Sequence, residues 1–248
     1  MQNLTILVDY DNIEPKHRPQ GPVNMGLMIL NQLPANLLHP YDTVSFRLYG
    51  GWRTATGLTN FAQDLIPKIR AASPTVWNVD YLGESKAIKV FTKLADAPLG
   101  STKVFEETLV RNRPLRHFRT GANAWVSCAD KQSCGLSILK SCHNATPCQT
   151  PNCYVQLGDI LVRDEQKMVD TMMVADIAYE RFVAKANEVV VICSDADIWP
   201  GIYLALQSEC RITHLHTKPN WRTPNSLLQT LSQPQLQRYR ELSLREPK

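Results

Sequence analysis

Twice in this chain an apolar run stops on carboxylates. Ile6-Leu7-Val8 leads straight into Asp9-Tyr10-Asp11-Asn12, and Val189-Val190-Val191-Ile192-Cys193 into Ser194-Asp195-Ala196-Asp197. Short, continuous, β-branched runs predict strands buried on both faces, as in parallel sheets. Such strands need helices on both sides and place their ligands beyond their carboxyl ends. The two runs therefore narrow the fold to the α/β class, with acidic side chains released where such sheets form sites. Two remote strands ending this way predict carboxylates that converge on one cation.

At 248 residues the chain has room for one large domain, or one domain with a long insertion. Its 44% hydrophobic and 20% charged content excludes a disordered chain. No apolar run approaches the ~18 residues of a membrane-spanning helix, so no membrane partner is expected. Asp9 interrupts any signal-peptide-like segment, which makes a cytoplasmic location the expectation. A net charge of +4 permits a nucleic-acid partner but does not demand one.

The pattern predicts strands at 4–8, 44–49 and 76–82, with helices at 23–33 and 59–70 between them, a β-α-β-α-β order that implies a parallel sheet. Residues 84–120 are mixed, with a helix or strand near 104–110. The stretch 121–153 is rich in Cys, Asn, Ser and Thr and reads as an insertion. Regular structure resumes near 155. Met168, Met172, Ala175, Tyr179 and Phe182 predict the inner face of a helix over 165–184. A strand at 189–193, a helix at 198–207 and a strand at 211–216 follow. Residues 217–248 read as a basic extension with a helix near 235–242.

Three acidic islands stand out: Asp9-Tyr10-Asp11-Asn12, then Lys167-Met168-Val169-Asp170 with Asp176 beyond it, then Ser194-Asp195-Ala196-Asp197-Ile198. In this order they resemble the NYN family of PIN-like ribonuclease domains, which show D-x-x-N after the first strand, K-x-x-D at a helix start and an S-D-x-D run after a later strand. The resemblance covers residues 4 to about 216. It implies a Rossmann-like, three-layer PIN/NYN fold around a mainly parallel sheet, and an endoribonuclease acting on single-stranded RNA. Trp199-Pro200 after the third island, and the cysteine-rich stretch, depart from the family pattern.

The chemistry of the residues points the same way. Mg²⁺ and Mn²⁺ prefer carboxylate oxygen and water, and in phosphodiester hydrolysis such an ion activates water and offsets charge at phosphorus. Asp9, Asp170 and Asp195 are the first-choice ligands, with Asp197 next, through water. Asn12 orients a carboxylate or contacts phosphate. Ser194 bonds to Asp9 or to a ligand water. Lys167, three residues before Asp170, is expected on the same helix face, holding phosphate or offsetting the acids. Asp176 is turned roughly 120° from Asp170 on a helix, so it belongs to the flank. Asp11 alternates away from Asp9.

The cysteines follow C-x5-C-x7-C-H-x4-C-x4-C. Cys134, Cys142, Cys148 and Cys153, with Cys128 and His143 as substitutes, are the expected ligands of a structural Zn²⁺. Cys193 and Cys210 are expected to be buried apolar residues. Arg111, Arg113, Arg116 and Arg119, with Phe118 among them, form the densest basic run and the expected nucleic-acid contact. A second patch around Trp221, Arg222 and Arg240 suits closure over substrate or docking on a second subunit of a homo-oligomer. His214 and His216 are expected to be structural, with only one facing the site.

Two other readings compete. Asp9-Tyr10-Asp11 also resembles the opening motif of haloacid-dehalogenase-type phosphatases, with Asp9 as nucleophile and Asp11 as general acid. A catalytically inactive NYN module that binds nucleic acid or protein is the third.

Overall fold

The computed structural model describes residues 2–18, 21–114 and 145–245. Its first half contains β1 (Asn3–Asp9), α1 (Gly21–Leu30), α2 (Ala35–Leu38), β2 (Thr43–Tyr49), the short β3 (Arg53–Thr54) and β4 (Gly57–Leu58), α3 (Asn60–Ala72), β5 (Thr75–Tyr81) and β6 (Glu84–Leu94). Then come β7 (Leu109–Pro114), α4 (Leu157–Ile160), β8 (Val162–Gln166), α5 (Val169–Phe182) and β9 (Glu188–Ile192). The chain closes with α6 (Trp199–Gln207), β10 (Arg211–His216), α7 (Asn225–Leu228), α8 (Gln233–Arg238) and β11 (Tyr239–Ser243).

Seven strands form one sheet in the order β11-β10-β9-β1-β2-β6-β5. Every neighbouring pair is parallel except β5 with β6. The central strands are buried on both faces and mostly apolar, because helices cover both sides. Leu4, Ile6 and Val8 of β1 pack with Met25 and Ile29 of α1 and with Ala62, Leu65 and Ile69 of α3. Leu7 and, from β9, Val189 and Val191 pack on the other side with α5 and α6. Each large apolar side chain buried this way contributes about 1.5–3 kcal/mol relative to exposure. The result is a mixed α/β, mostly parallel sheet between two helical layers, as expected. No helix among the described residues is long and apolar enough to cross a membrane.

Several expectations need correction. The strand at 75–81 is an edge strand, turned back on β6 through the left-handed pair Leu82 (φ 52°) and Gly83 (φ 83°). Strand β6 fills the region read as mixed; Ile88, Val90 and Thr92 are buried and alternate with exposed Lys89, Phe91 and Lys93, a period of two that was present in the sequence. Near 235–242 the helix stops at Arg238 and the chain becomes β11, which pairs with β10. Within the region read as an extension, Tyr239–Ser243 thus adds a strand to the main sheet.

The chain divides into two compact units, Met1–Leu109 with Gln166–Lys248, and Val110–Glu165. The insertion is therefore longer than the 121–153 expected. Its described part holds the β7–β8 pair, α4 with its Gln156/Asp159 capping box, and an isolated bridge between Pro147 and Gln156.

Candidate metal centre

Chain order runs from β1 to β2 on one side, and later to β9 and β10 on the other. The gap between β1 and β9 is thus the topological switch point, where the connections leaving adjacent strands part. Asp9 ends β1 there, on the same face as Leu7 by the alternation of a strand. The residues after β9 emerge beside it. Asp195 caps a short 3₁₀ turn, Ala196–Ile198, its Oδ1 accepting from the Asp197 backbone N–H at 3.1 Å. The third contribution comes from α5, which starts at Val169 after Met168 in a left-handed conformation (φ 61°). Asp170 lies in the first turn, where the helix dipole favours a carboxylate.

The turn after β9 and the start of α5 bring one carboxylate oxygen each of Asp170, Asp195 and Asp197 to within 4.8 Å of one another. Among the described residues, no ion pair to lysine or arginine involves any of these three, or Asp9. Asp170 shows the consequence. Its carboxyl is pushed up to about 6, first by burial and then by the charges on Asp9, Asp195 and Asp197. The helix dipole does not outweigh those effects.

Asp9 is held apart from this trio by its own partners. Its Oδ1 accepts from the Asn12 backbone N–H at 3.2 Å, and its Oδ2 accepts from the Asn12 side-chain amide and from the Cys193 thiol at 3.2 Å. Burial drives the Cys193 thiol far above its ordinary range, and nearby Asp9 adds to this, so the sulfur keeps its proton and donates. Cys193 and Cys210 are both fully buried, as expected. That Cys193 anchors Asp9 was not legible, because nothing in the sequence says which wall of the sheet a thiol shares with a remote aspartate.

Other expected site residues sit elsewhere. Ser194 does not meet Asp9; its Oγ pairs with Thr217 Oγ1 at 2.9 Å and accepts from the backbone N–H groups of Thr217 (2.9 Å) and Lys218 (3.3 Å). Lys167 precedes the left-handed Met168 and so lies outside α5, sharing no helix face with Asp170; its backbone N–H donates to Thr108 O at 3.0 Å. Asp11 turns away, its Oδ2 accepting from Gly51 N–H at 3.0 Å and from the Gln166 amide. A Cβ on Gly50 would stand 2.7 Å from that same oxygen, so the close approach requires glycine. Asp176 is fully buried and paired with Arg47 at 2.9 Å.

Arg111 and Arg113 lie in β7 of the second unit, exposed, and Arg113 pairs with Glu165 at 2.8 Å. Arg116 and Arg119 lie outside the described residues, as do Phe118, Cys128, Cys134, Cys142 and His143. Cys148 and Cys153 are free thiols. The Cys148 thiol is drawn below its ordinary value by hydrogen bonds from Thr150 and then from Cys153.

The histidines correct another expectation. Residues two apart on a strand share a face. His214 and His216 accordingly lie ring to ring, 4.2 Å between centroids, on the α6 side. His214 bonds to Tyr239 Oη (2.7 Å) and Cys193 O (3.0 Å), and His216 Nε2 to Glu241 at 2.8 Å. Both are structural, and both also line a cleft that contains Ser194 and Asp195.

The donor set fits a hard cation. It offers carboxylate oxygen only, from three flexible side chains and a fourth acid nearby, and the acids repel one another unless a positive charge joins them. Comparison with family models, with curated proteins and with solved structures finds no match for this chain.

Proposed function

We propose that the protein is a metal-dependent phosphodiesterase, a nuclease acting on single-stranded nucleic acid, RNA first. One observation supports the reading: Asp170 of α5 converges with Asp195 and Asp197 of the turn after β9 at the switch point of a parallel sheet, with Asp9 beside them. The order of the three acidic islands, similar to the NYN family, supplies the expectation of RNA.

Asp170, Asp195 and Asp197 would hold the Mg²⁺ or Mn²⁺. When bound, the cation supplies a nucleophilic water at neutral pH and charge relief on the phosphoryl oxygens. The chain's own groups do the rest. Asn12 and Cys193 fix Asp9, so its charge stays at the edge of the cluster and reinforces its negative potential. Asp195 both caps its turn and faces the cluster, which ties ligand position to backbone conformation. With its carboxyl pushed up to about 6, Asp170 becomes available as a carboxylate as the pH approaches neutrality. Hydrolysis adds water to phosphorus and breaks a P–O ester bond, leaving a phosphate monoester and an alcohol.

Asp11 is committed to the Gly51 loop, which weighs against the phosphatase reading that needs it as a general acid. The test is incubation of the whole protein with labelled single-stranded RNA in Mn²⁺, Mg²⁺ or EDTA, beside Asp195→Asn. Cleavage that needs the metal and is lost in the variant is expected. Cleavage that persists in EDTA or in Asp195→Asn refutes the proposal.

A further inference from the structure

Beside the acidic cluster lies a cleft of about 260 Å³ that the reaction above does not use. Its lining includes Ser194, Asp195, Trp199 and Trp221, with the buried His214 and His216. We propose that this cleft receives one unpaired nucleobase, the neighbour of the phosphate that is cut. The inference rests on the reading of Asp170, Asp195 and Asp197 as a cation site.

Four observations select this occupant. Asp195 belongs both to the cluster and to the cleft wall, so a phosphate drawn to the cluster sets its adjoining nucleoside at the cleft. Two indoles line it, Trp199 buried and Trp221 43% exposed, and an aromatic surface of this kind stacks an unstacked base where a free phosphate gains nothing from it. The Lys218 ammonium lies 5.0 Å from the centroid of the Trp221 ring, putting a cation at the rim for the strand's backbone. Finally, among the groups lining the cleft, His216 Nδ1 is buried with no hydrogen-bond partner. Nε2 of that ring is taken by the Glu241 carboxylate, so Nδ1 is the ring atom left for a polar group of a base.

The segment bearing Trp221 is not a loose tail. Ser194 Oγ holds its start through Thr217 and Lys218, Ser243 Oγ donates to Trp221 O at 3.0 Å, and Thr223 N–H donates to Glu241 at 2.5 Å. Ser194 thus works as the pin of the cleft wall, so the serine of the third island serves base placement and not metal ligation.

The experiment measures binding apart from cleavage. Full-length protein is titrated by fluorescence anisotropy with a labelled single-stranded RNA octamer, Ca²⁺ replacing Mn²⁺, and with octamers carrying one abasic residue at each position in turn. Mn²⁺ binding is measured in parallel without RNA. Trp221→Ala, at an exposed indole, is expected to weaken the octamer about tenfold to a hundredfold, with Trp221→Phe restoring most of it and Mn²⁺ affinity unchanged. One abasic position is expected to weaken the parent by a similar factor and to have no further effect in Trp221→Ala. Octamer affinity indifferent to Trp221→Ala and to every abasic position, or no octamer binding at all, overturns the cleft assignment even where Mn²⁺ binds. Absence of Mn²⁺ binding with the Trp221 and abasic signature intact removes the metal reading and leaves the base site standing.

Discussion

Helix α5 carries two aspartates six residues apart whose surroundings are opposite. Asp176 is fully buried, yet every demand of its charge is met: Arg47 pairs with it at 2.9 Å, Tyr49 Oη donates at 2.5 Å and Leu99 N–H at 2.6 Å. Asp170 is half-buried, and the charges nearest to it are those of other acids. One carboxylate has its partners within the protein; the other, on the reading proposed above, takes a cation. A buried charge with partners is part of the fold, whereas converging acids without a basic partner lower stability, and their convergence at a switch point is the reason to propose a site there.

Breaking the partnered end has the largest expected effect. Asp176→Ala leaves the Arg47 guanidinium buried without its carboxylate and strips an acceptor from Leu99. A loss of about 3–5 kcal/mol is expected, read as a fall in the urea midpoint. An unchanged midpoint would show that the pairing does not support the fold. The other end should respond with the opposite sign. Asp170→Asn removes one charge from a crowded set, and the metal-free variant should be more stable by about 1 kcal/mol once solvent screening of a half-exposed group is allowed for, a Tm rise of about 2–4 °C.

The pH dependence sharpens the contrast further. A carboxyl raised to about 6 in the folded protein stabilises it fully below the ordinary aspartate value and ceases to as pH rises through about 6. The advantage of Asp170→Asn over the parent should therefore be smallest near pH 4, grow up to about pH 6 and stay level above. His214 acts in the other direction. Burial, with His216 next, lowers its pKa to about 3, so the parent loses stability as pH falls below the ordinary histidine value. Comparing parent and variant at each pH cancels that background. A variant advantage that is flat from pH 4 to 7 would contradict the charge account of Asp170.

How much of this was legible in the sequence follows the same divide. The buried strands, their helices and the acidic ends of β1 and β9 were readable, because continuous apolar runs and abrupt carboxylates are local signals. The inner face of α5 was not. Its buried residues are Val169, Met172, Met173, Asp176, Ile177 and Glu180, at helical spacing, but two are acids. Reading only apolar residues shifted the face onto Met168 and Phe182, which are 41% and 42% exposed. A helix with charged residues in its inner stripe is recognised only once its partners, here Arg47 from β2 and Thr5 from β1, are known. Likewise β11 has no strong alternation, and its place comes from pairing with β10. Ser194 was expected to bond to Asp9 or to a ligand water; its partners lie 23 and 24 residues on.

The most direct test of the central claim, that Asp170, Asp195 and Asp197 form a cation site, is Mn²⁺ titration of the whole protein followed by electron paramagnetic resonance, with Tm read at each concentration. Saturable binding with a rise in Tm is predicted for the parent at pH 7, weakening below about pH 6 as Asp170 takes up its proton, and lost in Asp195→Asn and Asp170→Asn. Equal binding in the parent and both variants, or no saturable binding in the parent, would contradict it.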